Sequence, residues 1–188
     1  MLVRRWGAAL VGTALAAGLL GGGAARAVAG SDPVPDGAYG FSAKVVFGDE
    51  QACTGALVDQ DWVLTAKNCF GDGSTAVVRG TPGKPTRALI GRTDLTGTAG
   101  QERAVVAVVP HPDRNLALAR LSAPVTDITP VGLAGTAPAA SETLMVAGYG
   151  RTATEWVPDR LHAAAFTVQD VATTTVGLMG GVGWGDHL

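Results

Sequence analysis

Cleavage of a peptide or ester bond by a side-chain nucleophile needs a hydroxyl or thiol next to a base that can take its proton and return it. This chain offers five serines (Ser31, Ser42, Ser74, Ser122, Ser141), two cysteines (Cys53, Cys69) and three imidazoles (His111, His162, His187) for such a role. None of the serines is followed by glycine. No histidine has ligand spacing to another His, Asp or Glu, so neither a metal site nor a cofactor is expected. His162 alternates out of a β-type run and reads as a surface residue, while His187 sits beside the last residue. The cysteines admit two chemistries. Oxidised, they can form one bridge; reduced, they could supply a two-thiol metal site, although C-x15-C has no partner His at zinc-finger spacing.

The elements that must position these groups are short and extended. Gly, Pro, Asp or Thr punctuates the chain at intervals of about eight to twelve residues, with alternating β-branched runs between. The runs predict strands at Tyr39–Phe47, Thr54–Val58, Trp62–Ala66, Ala76–Arg79, Thr86–Ile90, Ala104–Val109, Leu116–Leu121, Leu144–Tyr149, His162–Val171 and Thr174–Leu178. Trp62 and Leu64 read as core, Trp156 and Trp184 as loop aromatics. Asp36-Gly37, Gly71-Asp72-Gly73 and Pro82-Gly83 read as loops. With 27 glycines and 16% charged residues in 188, this is one all-β domain, and periodicity leaves sandwich and barrel both open.

The first 27 residues read as an export signal. Arg4 and Arg5 precede an apolar run from Trp6 to Leu20, and Ala25-Arg26-Ala27 is a small-x-small cleavage site that would leave Val28 as the mature terminus. The twin arginines also raise the twin-arginine route, for which Val3 and Gly7 are poor flanks. The apolar run is short and glycine-rich for a membrane span, so no membrane association is expected after cleavage. Export to an oxidising space favours the Cys53–Cys69 bridge. Residues 28–188 keep eleven basic against 16 acidic residues, a net charge of −5. Without a basic patch or a basic amphipathic helix, neither nucleic acid nor a membrane surface is indicated as a partner.

One segment carries a resemblance. Cys53-Thr54-Gly55-Ala56-Leu57 through Thr65-Ala66-Lys67-Asn68-Cys69 closely resembles the trypsin-like (peptidase S1) serine proteases, whose segment ends in Thr/Ser-Ala-Ala-His-Cys. Val28-Ala29-Gly30 resembles the mature terminus of that family, and Tyr39–Phe47 its first barrel strand. His111-Pro112-Asp113-Arg114-Asn115-Leu116-Ala117-Leu118 resembles its His-Pro-x-x-Asp-Ile-Ala-Leu strand, and Gly148-Tyr149-Gly150-Arg151-Thr152 its Gly-Trp-Gly-x-Thr. Asn68 and Asn115 stand 47 residues apart, close to the family's His-to-Asp interval.

The resemblance implies a chymotrypsin-like double β-barrel over residues 28–188, with the Cys53–Cys69 disulfide in the first barrel. The first barrel, about Tyr39 to Leu121, is expected complete and ordered. The second is expected truncated at about three of six strands, with residues past Leu178 outside the ordered unit. It also implies that Asn68 and Asn115 occupy the positions of the catalytic His and Asp. The family's Gly-Asp-Ser-Gly-Gly nucleophile motif has no counterpart, and Gly185-Asp186-His187 reads as a chance match. An amide cannot titrate near neutral pH, so Asn68 cannot serve as a base. Asp113 lies two strand positions from Asn115, roughly 6.6 Å away, too far to serve the same partner. His111 falls at a position that is ordinarily structural in the family. The expectation is a secreted serine-endopeptidase homologue without activity. Alternatives are a pseudoprotease that binds a peptide or protein in the inter-barrel cleft, and a truncated non-functional product; self-association through the truncated barrel is a further expectation.

Overall fold

The computed structural model describes residues 32–48, 51–71, 76–152 and 154–180. The expected signal segment, Val28, and the run with Trp184, Gly185, Asp186 and His187 lie outside the described residues. Among the described residues ten strands are formed: β1 Asp32–Pro33, β2 Ser42–Phe47, β3 Gln51–Asp59, β4 Trp62–Thr65, β5 Thr86–Ile90, β6 Gln101–Pro110, β7 Ala117–Leu121, β8 Thr143–Gly148, β9 His162–Val171 and β10 Val176–Gly180. A 3-10 turn, Lys67–Phe70, follows β4.

Six strands close an antiparallel barrel in the order β2-β3-β4-β7-β6-β5. Alternation fills it: Ala43, Val45 and Phe47 of β2, Ala88 and Ile90 of β5, and Ala117, Ala119 and Leu121 of β7 all point inward. The many alanines suit the narrow lumen. In β6 both Val105 and Val108 are buried, three positions apart, because the register shifts between Val105 and Ala107 and the extra residue reverses the parity. Gly55 is required where β3 crosses β4, since a Cβ there would lie 2.8 Å from the Leu64 carbonyl oxygen and from a Val63 methyl. Gly100, at φ +74°, turns the chain into β6 where a Cβ would strike the Ile90 carbonyl.

The remaining strands make a second antiparallel sheet around β9. β8 runs along one edge of β9; β1 and β10 share the other, opposite residues 162–163 and 166–171 respectively. Among the described residues this sheet does not close. A second small core, Val34, Tyr149 and Leu161, packs where it meets the barrel. Tyr149 spans the junction, its N–H donating to Thr54 Oγ1 (3.0 Å) and its hydroxyl to the Arg92 carbonyl (3.0 Å). Arg160 adds a fork, donating to Asp94 at 2.6 Å and to Asp36.

The structure corrects several sequence expectations. Ala76–Arg79 form no strand; only Gly80 bridges to Val108. Tyr39 is a turn residue at φ +51°, so β2 begins at Ser42. Inward-facing residues of β4 are Val63 and Thr65, which leaves Trp62 and Leu64 half-buried on the outside. His162 is buried at 7% exposure rather than on the surface, at a β9 position flanked in the sheet by Gly148 of β8 and Pro33 of β1. Among the described residues the second sheet has four strands rather than three, β1 being the unforeseen one.

Candidate functional site

Asn68 is delivered by the end of β4. There the Thr65 hydroxyl donates to the Thr54 carbonyl at 2.9 Å, and the extended Ala66 leads into the 3-10 turn. Cys69 N–H donates to Ala66 O and Gly71 N–H to Asn68 O, closing the turn. Two side-chain anchors hold it to the barrel. The Cys53–Cys69 disulfide forms, with Cα atoms 6.4 Å apart, and Phe70 meets Phe47 edge to face at 4.9 Å between ring centres. The disulfide agrees with the export-based expectation and excludes a two-thiol metal site on these cysteines.

Asn115 comes from a loop, not from a strand as the sequence suggested, because β7 starts only at Ala117. His111 shapes that loop. Its backbone N–H donates to Leu116 O at 2.8 Å, and its Nδ1 accepts from the N–H groups of Asp113 and Arg114 at 3.1 Å each. Two donors aimed at Nδ1 require a lone pair there and place the ring proton on Nε2. The imidazole is therefore committed to loop geometry, as expected. Asp113 serves the same turn through its backbone, and the strand-spacing argument about its distance from Asn115 no longer applies.

The two asparagines meet. Asn115 Oδ1 accepts the backbone N–H of Asn68 at 2.9 Å, and both residues are exposed. A second tether, not foreseen from the sequence, runs alongside: Lys67 Nζ donates to the His111 carbonyl at 3.0 Å. Its signal was visible, since a lysine stands where the resembled motif has alanine, but its target depends on how the His111 loop folds. Thr54 was likewise overlooked, although its hydroxyl joins the barrel to Tyr149. Of the described serines, Ser42 is buried on β2 while Ser122 and Ser141 are exposed outside the strands. Ser31 and Ser74 lie outside the described residues.

Perturbed groups cluster at the barrel–sheet junction. Burial pushes the Tyr149 phenol up to about 12, against the opposing pull of Arg92. Hydrogen bonds from Thr96 hold the Asp94 carboxyl below its ordinary value, helped by Arg160. Lys44, on the outward side of β2, is lowered by burial, which Asp159 partly offsets. Among the described residues no group of three or more His, Cys, Asp or Glu could hold a metal.

A closed six-stranded barrel, joined to a second antiparallel sheet, with a disulfide-pinned turn facing a loop from the β6–β7 connection, defines a chymotrypsin-like fold. Its counterpart among solved structures includes neuropsin, a serine protease expressed in mouse brain, which superposes at a TM-score of 0.67 with 20% identity over 81% of this chain and 74% of its own. The profile of the family described as Trypsin matches residues 28–181, and the chain belongs to that family. Serine protease SP24D of Anopheles gambiae is 30% identical over 135 residues, 68% of this chain and 47% of its own length. Kallikrein 1-related peptidase b22 of Mus musculus is 30% identical over 127 residues, 56% of this chain and 44% of its own. The chain spans about half the length of the curated relatives it matches.

Proposed function

We propose that this chain is an exported, non-catalytic member of the trypsin family, with Asn68 and Asn115 in the places of the base and its orienting carboxylate. The observation that carries the reading is the contact of Asn115 Oδ1 with the Asn68 N–H at 2.9 Å. It joins the two positions the family motifs assign to His and Asp through an amide oxygen and a backbone N–H, neither of which can shuttle a proton. A serine hydroxyl without a base stays protonated and weakly nucleophilic, and an imidazolium without a nearby carboxylate loses its stabiliser. His111 offers no replacement, because Nδ1 is engaged by its own loop. None of the five serines in these 188 residues stands in the family's Gly-Asp-Ser-Gly-Gly context. Export rests on residues 1–27, with Val28 as the mature terminus.

Turnover decides the matter. The full chain, and the double variant Asn68→His/Asn115→Asp, are assayed on casein and small esters with a serine-reactive fluorophosphonate probe alongside. Neither is expected to cleave or to label. Hydrolysis that survives repurification and is matched by probe labelling would overturn the reading. Intact mass of exported protein is expected to begin at Val28.

A further inference from the structure

The connection from the 3-10 turn to β5 contains Ala76–Arg79, the run that fails to become a strand, and its path makes a cavity on the first barrel. Two points of its described part are pinned. Gly80 exchanges both backbone bonds with Val108 of β6 (3.1 and 2.7 Å), and the Pro85 carbonyl accepts the N–H of Gly48, just past β2, at 2.8 Å. The Thr86 hydroxyl also donates to the Lys84 carbonyl at 2.9 Å. Between these pins Thr81, Gly83 and Lys84 are exposed while Pro82 is half-buried. The span from Thr81 to Lys84 borders a cavity of about 350 Å³. Phe47 (4% exposed) and Val108 (2%) of the barrel core form its floor, and Phe70 and Val77, which pack against that core, form its side. Cys69 and Gly71 line it as well, so the turn that presents Asn68 is part of the wall. Lys84 is the one charged residue among those lining the cavity, and none of the ion pairs among the described residues uses it.

We propose that this cavity binds a small amphipathic monocarboxylate, with its hydrocarbon part on Phe47, Phe70 and Val108 and its carboxylate beside the Lys84 ammonium. The inference is independent of the non-catalytic reading, since it gives Asn68 and Asn115 no part in the contact. Size sets the class. Cavities that hold small molecules run from about 300 to 1,000 Å³, and one near the lower end suits a ligand of about ten non-hydrogen atoms. The aromatic and valine side chains of the floor and side call for an apolar body, which leaves water on entering. Charge sets the head group. A lysine lays its apolar stem along such a wall and keeps its ammonium in water, so the ion pair forms at the rim. There the carboxylate keeps part of its hydration and avoids the cost of full burial. A cationic head would meet Lys84 with like charge and find no acidic lining residue to offset it. Because the wall includes the Asn68 turn, a bound ligand also holds that turn, and by reciprocity whatever orders the turn tightens the site.

The test titrates octanoate, below the concentration at which it forms micelles, into the full oxidised chain by calorimetry at several temperatures. Saturable binding at one site is expected, with the negative heat-capacity change that marks apolar burial, and with slowed amide exchange at Asn68, Cys69 and Gly71. Octanol, with the same tail and no charge, should bind about threefold more weakly, as the loss of one solvent-exposed ion pair predicts, and octylamine should bind more weakly still. Lys84→Gln, at an exposed position, should erase the difference between octanoate and octanol and leave octanol unchanged. Gly83→Leu adds a side chain at a lining position where a Cβ would meet nothing within 4 Å and where the backbone is not left-handed, and it should weaken all three ligands at least about tenfold. Arg120→Gln, exposed and outside the cavity, should change nothing. Non-saturable uptake, octylamine binding as tightly as octanoate, or an octanoate affinity indifferent to Lys84→Gln overturns the proposal. So does undiminished binding to folded Gly83→Leu. If Gly83→Leu fails to fold, the ranking of the three ligands on the wild type and on Lys84→Gln still decides.

Discussion

Removing the disulfide with Cys53→Ala/Cys69→Ala tests the link between barrel stability and the Asn68 turn. The bridge closes a loop of 16 residues between β3 and the 3-10 turn. In the chain-entropy account, the loss per bridge is about 2.1 cal/mol/K plus 1.5R ln n, which for this loop is about 10 cal/mol/K, or about 3 kcal/mol at 25 °C. For a domain of this size that corresponds to a fall of about 6–12 °C in Tm. The magnitude should not grow beyond this through the native state. Once the bridge is gone the turn keeps Phe70 on Phe47, the Lys67 bond to His111 O and the Asn115 bond to Asn68 N–H. Urea denaturation of the oxidised wild type and the double variant, followed by far-ultraviolet circular dichroism, gives the free-energy difference, and amide exchange gives the local effect. Faster exchange is expected at Asn68 and Cys53 and unchanged protection in β6 and β7. A loss below about 1 kcal/mol with an unchanged m-value would refute the reasoning, since the unfolded chain would then gain no freedom from the cut.

Three further outcomes are expected. Asn115→Leu, which keeps the size but lacks the acceptor, should speed exchange at the Asn68 amide and cost about 1 kcal/mol, whereas Asn115→Asp should keep the protection, both read by hydrogen exchange. The Tyr149 phenol, raised to about 12, should titrate late by absorbance at 295 nm; because its folded value exceeds the unfolded one near 10, the stability it confers is complete below about pH 10 and is lost as pH rises toward 12. Tyr149→Phe should remove that alkaline step. Asp94 runs the opposite way: its depressed value means that the unfolded state binds the proton first, so its contribution is present above the ordinary value of 3.8 and fades as pH falls below it, and Asp94→Asn should flatten that acid limb in thermal melts.

Strand positions were legible where punctuation was strong. Thr86–Ile90 sits between Pro85 and Gly91, and His162–Val171 follows a loop containing Pro158, and both match the structure to the residue. Facing was harder. The larger side chains of β4 suggested Trp62 and Leu64 as core, but pairing of Val63 with Leu57 across a shifted register puts the smaller Val63 and Thr65 inside. β-propensity likewise could not reveal that Ala76–Arg79 lacks a neighbour to pair with, since a strand exists only through its partner. His162 was misjudged because alternation within one strand says nothing of what packs over either face of the sheet. The role of His111 was legible as structural from its His-Pro context, while the two bonds to Nδ1 and the reach of Lys67 depend on a fold of the loop that no local pattern encodes.

On the non-catalytic reading proposed above, the Asn68–Asn115 contact accounts for how the frame of a protease site could persist without its chemistry. The bond between them asks only for an oxygen acceptor on residue 115 and a backbone N–H on residue 68. An amide oxygen supplies the first as a carboxylate would, and any residue but proline supplies the second. Titration and charge are not part of that requirement. On that reading, asparagine at both positions keeps the turn, the loop and the disulfide in register, while it supplies neither the base nor the charge that proton transfer would use. Folding asks for the hydrogen bond and catalysis for the ionisable group, and on the proposed reading the two demands come apart at these residues.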